Sequence, residues 1–213
     1  MDMVVGEAYK TVISEIAGLD WPSLDEQDLS AVALAYYYFS VQFRENLLET
    51  ARLYPNDELL QELVAGECAT ENLSPWPGVA IANECMDHDE FMRRAVALSP
   101  IAPDLRARVE KAGAAYLQRA RKVPSELKAC SIASYENGGL ESTFRAMLTA
   151  LHWNTPTLRA FRHFLVEHIR FDSDPNEGHG ALSRHLMVDD RILPLWLDFR
   201  DLLICAAPRL ARQ

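Results

Sequence analysis

The chain has 213 residues, of which 49% are apolar and 24% are charged, and its formal net charge is −10. These values are ordinary for a globular domain with a substantial core. The acidic balance, without any run of Lys or Arg, argues against nucleic-acid binding. No apolar run approaches the roughly 20 residues that a membrane-spanning helix needs.

The beginning of the chain, "MDMVVGEAYK", lacks a basic segment followed by an apolar one. We therefore expect no signal peptide and a cytoplasmic protein. The four cysteines are widely spaced and form no CxxC pair, which predicts neither a zinc site nor a disulfide framework. We expect buried thiols in a reducing compartment at Cys68, Cys85, Cys130 and Cys205.

Apolar spacing and helix breakers predict a series of helices along the chain. The first begins at an N-cap on Ser23 and ends at Pro55, and the second begins at Asn56 and runs to Leu73, before the breakers of "SPWPG". The later predicted helices cover residues 87–98, 103–123, 125–153, 155–172 and 180–213, with a disturbance at Gly138-Gly139. No segment alternates like a strand. The predicted fold is an all-α single domain over residues 1–213, a bundle of about seven helices.

His168 and Asp172 lie four residues apart on a predicted helix, so they are about 40° apart around its axis. An imidazole and a carboxylate on one face suit iron, manganese or zinc. A solvated His–Asp pair is the alternative interpretation. His179 lies about 16 Å further along an unbroken helix, too far to share one ion. The Pro and Gly of "SDPNEG" favour a break there, which would let His179 fold back.

Further candidate ligands lie upstream. Glu67 is surrounded by small residues in "VAGECATEN" and is expected to face inward, with Glu71 as its rival one turn later. Glu136 and His88 lie on two more predicted helices. A dimetal site in a bundle core takes carboxylates and histidines from several facing helices in this way.

The chain resembles the heme-oxygenase-like superfamily, which includes the TenA- and PqqC-type proteins. The similarity runs from about residue 30 to 205, and the resemblance is greatest to the heme-oxygenase-like dimetal oxidases and their relatives. Its motifs are "AYYYFSVQFRENLLETARLYP", "GECATENLSPWPG", "MDHDEFMRRAVAL", "CSIASYENGGLES" and "FLVEHIRFDSDPNEGHGAL".

The resemblance implies a bundle with a dimetal centre, most simply di-iron, with manganese as an alternative. Dioxygen and a small organic substrate would be its partners. In this resemblance the early Glu of the family corresponds to Glu67. It implies that one ion is bound by Glu67, His88 and Glu136, with Glu136 as a candidate bridge between the two ions. The other ion would take His168, Asp172 and His179. The chain departs from the family pattern in the long Pro/Gly-rich stretch 72–87 and in the spacing of Asp172 and His179.

The same superfamily offers other functions. A heme oxygenase needs a histidine on its first helix, and this chain has none before residue 88, so we expect no haem. A TenA-like hydrolase of the thiamin pyrimidine would use Cys130, six residues before Glu136, but an activating partner for that thiol is not evident. A PqqC-like oxidase would need basic groups for an anionic quinone, of which the acidic chain gives little sign.

A metal-free binding protein with the same fold is an alternative from another functional class. It is favoured if fewer than about three ligands converge. The aromatic run of residues 36–39 is expected to supply core contacts or part of a substrate pocket, for which Phe39, Phe43 and Tyr135 are candidates. Bundles of this type often pair, which leaves a homodimer open.

Overall fold

Helices form nearly all of the regular structure. The structure, a computed structural model, describes residues 8–172 and 179–211, except for the side chain of Asp172. Within these ranges the β pairing is limited to two isolated bridges, Thr70–Met86 and Trp76–Ala80. The predicted all-α class is therefore confirmed.

The helices follow one another in the order α1 (Ala8–Ala17), α2 (Glu26–Leu53), α3 (Glu58–Glu67), α4 (His88–Ala95), α5 (Pro103–Ala120), α6 (Ser125–Ser134), a π-helical segment (Tyr135–Gly139), α7 (Leu140–Met147), α8 (Pro156–Asp172), α9 (His179–Ser183) and α10 (Leu193–Ala206). Short 3₁₀ turns occupy Trp21–Ser23, Asp190–Ile192 and Pro208–Ala211.

Helix α2 is the centre of the bundle. It packs against α3, α4, α5, α6, α8 and α10. The run "SAVALAY" at residues 30–36 is buried at every position, so α2 contacts protein on all sides. A helix that is apolar all round is expected in such a place. Among the described helices, none has the length and apolar character needed to cross a membrane.

The sequence placed two helix starts slightly wrong. Asp25, rather than Ser23, caps α2, because its carboxylate accepts hydrogen bonds from the backbone N–H groups of Gln27 and Asp28. Asp57, rather than Asn56, caps α3 through the N–H of Leu60. Aspartate is as good a cap as Ser or Asn, so the sequence offered adjacent choices that only the backbone path resolves.

The structure also contains more helices than the seven expected. Helix α1 was not predicted, although it packs its apolar side against α7 and α10. The predicted helix 180–213 is divided, since α9 ends at Ser183 and α10 begins only at Leu193. Pro194 lies in the first turn of α10, the position a proline tolerates, whereas the interior of a continuous helix would lose a hydrogen bond there.

The cap of α2 gives a direct test of the fold. We expect Asp25→Ala to lower the free energy of unfolding by about 1 kcal/mol, because two backbone N–H groups lose their acceptor. Ser23→Ala is the matched control and should change it by less than about 0.5 kcal/mol. Urea denaturation of both variants measures the difference, and a larger loss for Ser23→Ala would contradict the assignment.

Candidate metal centre

Glu67 and His88 are 21 positions apart but adjacent in space. Glu67 ends α3 and His88 begins α4. The loop between them is closed at its base by two backbone hydrogen bonds between Thr70 and Met86, of 3.1 and 2.9 Å. The resulting distance from His88 Nδ1 to Glu67 Oε2 is 2.6 Å.

Helix α8 brings a second imidazole to this pair. His168 Nε2 lies 3.0 Å from His88 Nδ1, and His168 Nδ1 lies 2.8 Å from the backbone carbonyl oxygen of Phe164. A carbonyl oxygen can only accept, so Nδ1 of His168 carries the proton. In the neutral ring, Nε2 therefore presents a lone pair toward His88 and Glu67.

The orientation of His88 is fixed by Asn72, from the loop. The Asn72 amide donates to the Gly66 carbonyl oxygen at 2.8 Å, which leaves its Oδ1 to accept from His88 Nε2 at 2.9 Å. With its proton on Nε2, a neutral His88 ring would also present a lone pair, on Nδ1, toward His168. Two lone pairs 3.0 Å apart beside a carboxylate repel one another unless a cation, a proton or a metal ion, joins them.

A second group of ligands shares Glu67. His179 Nδ1 lies 2.9 Å from Glu67 Oε1 and 3.5 Å from Glu136 Oε2. A Cβ atom on Gly66 would lie only 3.2 Å from His179 Nε2, so a glycine lets the ring pack closely against α3. His179 thus reaches the cluster, as expected if the chain breaks before it.

A π-helical segment positions Glu136. The backbone leaves helical geometry at Asn137 and at Gly138, whose φ is +88°. Only glycine adopts such a φ readily, and π-bulges often occur at functional sites. The disturbance that the sequence predicted at Gly138-Gly139 is confirmed, and it turns the Glu136 carboxylate inward.

The five side chains are almost completely shielded from water. Glu67, His88, Glu136, His168 and His179 are exposed by only 4–6%. Burial alone would raise the pKa of Glu67, but the nearby His88 and His179 outweigh it and hold that pKa well below its ordinary value. Burial, followed by the charge of His88, lowers the pKa of His168 to about 3, so this imidazole is neutral at pH 7.

These residues form two candidate ion sites. Ligand atoms of Glu67, His88 and His168 lie within 4.8 Å of one another, as do those of Glu67, Glu136 and His179. Neutral imidazoles and carboxylates are what iron, manganese and zinc bind. Glu67 belongs to both groups, with one carboxylate oxygen toward each, which is the arrangement of a bridging ligand.

The structure places the other predicted residues as follows. Glu71 is exposed, so Glu67 is the early carboxylate of the cluster. Asp172 ends α8, but its side chain is outside the described part of the protein, as are residues 173–178. Among the described residues the grouping differs from the expected division between two ions: His168 lies with His88, and Glu67 rather than Glu136 belongs to both groups.

A small cavity adjoins the first group. Its apolar walls are Tyr36, Phe39, Phe43, Leu140 and Phe164, and its polar lining is Ser40, Arg44, Glu67, His88, Glu136 and His168. The cavity leaves about 20 Å³ for the centre of a water-sized molecule, enough for roughly one such molecule. Of the three pocket candidates, Phe39 and Phe43 line it, whereas Tyr135 lies behind Phe39 with a ring-centroid distance of 5.1 Å.

Sequence reasoning missed Asn72 and Arg44. Nothing in "ECATENLSP" marks Asn72 as the partner of a histidine 16 residues later. Arg44 lies 2.9 Å from Asp89 and 3.4 Å from Asp87, on either side of His88 in the chain. Through these ion pairs Arg44 holds the start of α4 against α2. The only indication of its role in the sequence is that it lies one helical turn after Ser40.

The cysteine alternatives do not enter this cavity. Cys130 lines a different surface groove, with Tyr54, Asp57 and His185, and burial followed by the charge of Asp189 raises its pKa. Cys68 follows Glu67, but burial raises its pKa to about 12. Neither thiol is activated as a nucleophile or as a metal ligand in the described structure, since both functions require the thiolate.

The buried neutral state of His168 predicts a pH dependence for the metal-free protein. The unfolded imidazole titrates near 6.5 and the folded one at about 3, so the unfolded chain binds more protons between these values. Stability should therefore fall as the pH falls below 6.5, with a contribution of up to about 2 kcal/mol by pH 5.

His168→Asn keeps a donor for Phe164 and removes the titration, so its stability should depend less on pH. His152→Asn, at an exposed histidine, is the control. Denaturation in chelator at pH 7, 6 and 5 measures both slopes. Equal slopes for the wild type and His168→Asn would contradict the assignment of this histidine.

Comparison with known proteins assigns no family or function, so the functional interpretation rests on the geometry of the site. No family model matches the chain, and neither curated proteins nor solved structures yield a match. The resemblance to the heme-oxygenase-like superfamily therefore stays a prediction from sequence motifs.

Proposed function

We propose that the protein is a non-haem dimetal oxidase or oxygenase, with iron as its metal, that acts on a small organic substrate. One observation carries the proposal: three imidazoles and two carboxylates from five elements converge in an apolar interior around a shared Glu67. Buried charges of this density are costly unless they pair with one another or bind a metal. Metal sites in helix bundles are built in this way.

The residues fit two divalent ions. Glu67 would bridge them, His88 and His168 would complete one site, and Glu136 and His179 the other. Both His88 and His168 hydrogen-bond through the ring nitrogen that faces away from the cluster, which fixes the tautomer a metal requires. Three or fewer described protein ligands per ion leave positions open for dioxygen and substrate.

Two irons bound here would supply the electrons for reducing dioxygen. The chain's own side chains do the rest. Tyr36, Phe39 and Phe164 exclude water from the cavity beside His88 and His168, which strengthens electrostatic interactions within it. Apart from the candidate ligands, Ser40 and Arg44 are the polar residues of the cavity lining, and they are suited to orient a substrate with one polar end.

The size of the cavity limits which molecules can enter it without a rearrangement of its side chains. With room for about one water-sized molecule, it admits dioxygen but no larger substrate in this conformation. A substrate must therefore displace one of its side chains. Arg44 is 32% exposed and lies between the cavity and solvent, so it is the side chain whose movement opens the site with least loss of core packing.

Metal content tests the proposal. Protein loaded anaerobically with ferrous iron should bind roughly two ions per chain. Glu67→Gln should lose both ions because it removes the shared charge, whereas His168→Ala should lose about one. His152→Ala, at an exposed histidine, should load like the wild type.

The measurements are iron per chain after desalting and dioxygen uptake by the loaded protein. Wild-type protein that retains less than half an ion per chain, or Glu67→Gln with unchanged metal content, would exclude the dimetal proposal. Loaded wild-type protein that consumes no dioxygen would leave a metal site without oxidase chemistry and would contradict the proposed activity.

Asn72 provides a second test. Asn72→Ala removes the acceptor that fixes the His88 tautomer, and loss of such a supporting hydrogen bond weakens metal binding by about 10- to 100-fold. Asn56→Ala, at an exposed asparagine outside the site, is the control. Competition with a chelating dye, using Mn²⁺, measures both affinities. Equal affinities would show that Asn72 does not support the ligand.

A further inference from the structure

A continuous row of aromatic rings joins the protein surface to the candidate ligands. Trp76, in the loop between α3 and α4, stacks on His163 of α8, with ring centroids 4.3 Å apart and planes within 16°. The His163 ring lies 6.1 Å from that of Phe91, which lies 5.9 Å from that of Phe164. Phe164 in turn stacks on His168 at 4.0 Å.

The row also reaches the other imidazole of the first group. The Phe164 ring lies 5.7 Å from that of His88. Phe91 and Phe164 are fully buried, whereas Trp76 and His163 are half-buried. The row therefore has one end at solvent and the other at His88 and His168, and no polar gap interrupts it.

The surface end of the row is positively charged. Trp76 and His163 line a groove of about 300 Å³ together with Arg159, Arg162 and Val166. Both arginines are exposed, and neither has a carboxylate within 4.0 Å among the described residues. Most other described arginines are paired, as are Arg121 with Glu45 and Arg145 with Glu141.

Two exposed guanidinium groups without a carboxylate partner among the described residues thus line one groove, although the net charge of the chain is −10. They lie three residues apart, on one side of α8. Exposed cations that no internal carboxylate neutralises are available to a partner of opposite charge. The apolar Val166, which is 37% exposed, adds a contact surface beside them.

The proposed function requires an electron source, and this inference rests on that function. Iron oxidised by dioxygen must be reduced again, yet the ligands are exposed by at most 6% and the adjoining cavity holds about one water-sized molecule. A protein reductant cannot touch them. Its electrons must cross several layers of side chains, and closely packed rings shorten the gaps through which they tunnel.

We propose that the groove at Trp76, Arg159 and Arg162 docks a small acidic iron–sulfur protein, a one-electron carrier, whose electrons enter along the row of rings. In each transfer the reduced cluster of the carrier loses one electron and one ferric ion becomes ferrous. No bond forms or breaks. Two transfers restore two ferrous ions.

Docking is tested with a reduced acidic [2Fe–2S] ferredoxin and the iron-loaded full chain. At low ionic strength we expect Arg159→Glu/Arg162→Glu to raise the Kd about tenfold or more, since steering and docking both depend on these charges. Arg52→Glu/Arg184→Glu makes the same change of net charge at two other exposed arginines without a described carboxylate partner and is the matched control. The difference should shrink as salt screens the charges.

Electron transfer is tested by anaerobic stopped flow, from the oxidation of the ferredoxin at a saturating concentration. Trp76→Leu should slow the reduction of the ferric iron about tenfold or more, and Trp76→Phe, which keeps a ring against His163, should retain most of the rate. Trp153→Leu is the control, because Trp153 is another half-buried tryptophan, outside the row.

Dithionite separates failure of this inference from failure of the proposed function. This small reductant needs no docking groove, so it should reduce the iron equally in all variants that contain iron. Iron that dithionite reduces but that ferredoxin does not reduce in the wild type would overturn the docking proposal alone. So would equal Kd values for the two double-arginine variants, or an unchanged rate in Trp76→Leu. Wild-type protein without bound iron would overturn the proposed function first.

Discussion

The burial of the Glu67 carboxylate among three imidazoles is the constraint on which the rest of the structure depends. A carboxylate that is 4% exposed loses its hydration, and only positive charge or strong hydrogen bonds offset that loss. Glu67 has His88 on one oxygen and His179 on the other. Its pKa is lowered because these two neighbours outweigh the effect of burial.

Four of the five candidate ligands lie at irregular parts of an otherwise regular bundle, and the fifth, His168, lies within the regular helix α8. Glu67 and His88 flank a loop closed by a short bridge, Glu136 lies in the π-helical segment, and His179 begins a helix of five residues. Regular helices would place these side chains by the 3.6-residue repeat alone. The irregular segments place ligands at positions that the helical repeat would not reach. The free-energy cost of this irregular backbone is offset by the packing of α2 and the apolar core around it.

The two proposals join the interior of the protein to its surface through α8. This helix carries His168 inside, Phe164 one turn earlier, and Arg159, Arg162 and His163 at its outer side. Its inward side contributes Phe164 and His168 to the row of rings and to the cluster, and its outward side carries Arg159 and Arg162, for which the described residues offer no carboxylate partner. A single rigid element therefore fixes the relation between the groove and the cluster, and no change of conformation is required to connect them.

Much of the site was readable in the sequence. Periodicity and breakers predicted the helical class. The small residues around Glu67, the position of His168 four residues before Asp172, and the breakers before His179 indicated side chains that the structure brings together. Composition and local pattern suffice to single out these residues, because a polar side chain that is buried among apolar neighbours needs a hydrogen-bonding or charged partner. The sequence by itself thus determined the helical class and which polar residues require an explanation.

Only the tertiary structure decided how these residues combine. Glu67 rather than Glu136 lies between the two groups, His168 joins His88, and Asn72 orients His88 from a loop that looked like a simple insertion. Asp25 and Asp57 capped helices where neighbouring Ser23 and Asn56 were equally suitable. The physical reason is the same in each case: these choices depend on distances between segments remote in sequence, and such distances are set by the packing of whole helices rather than by local preference.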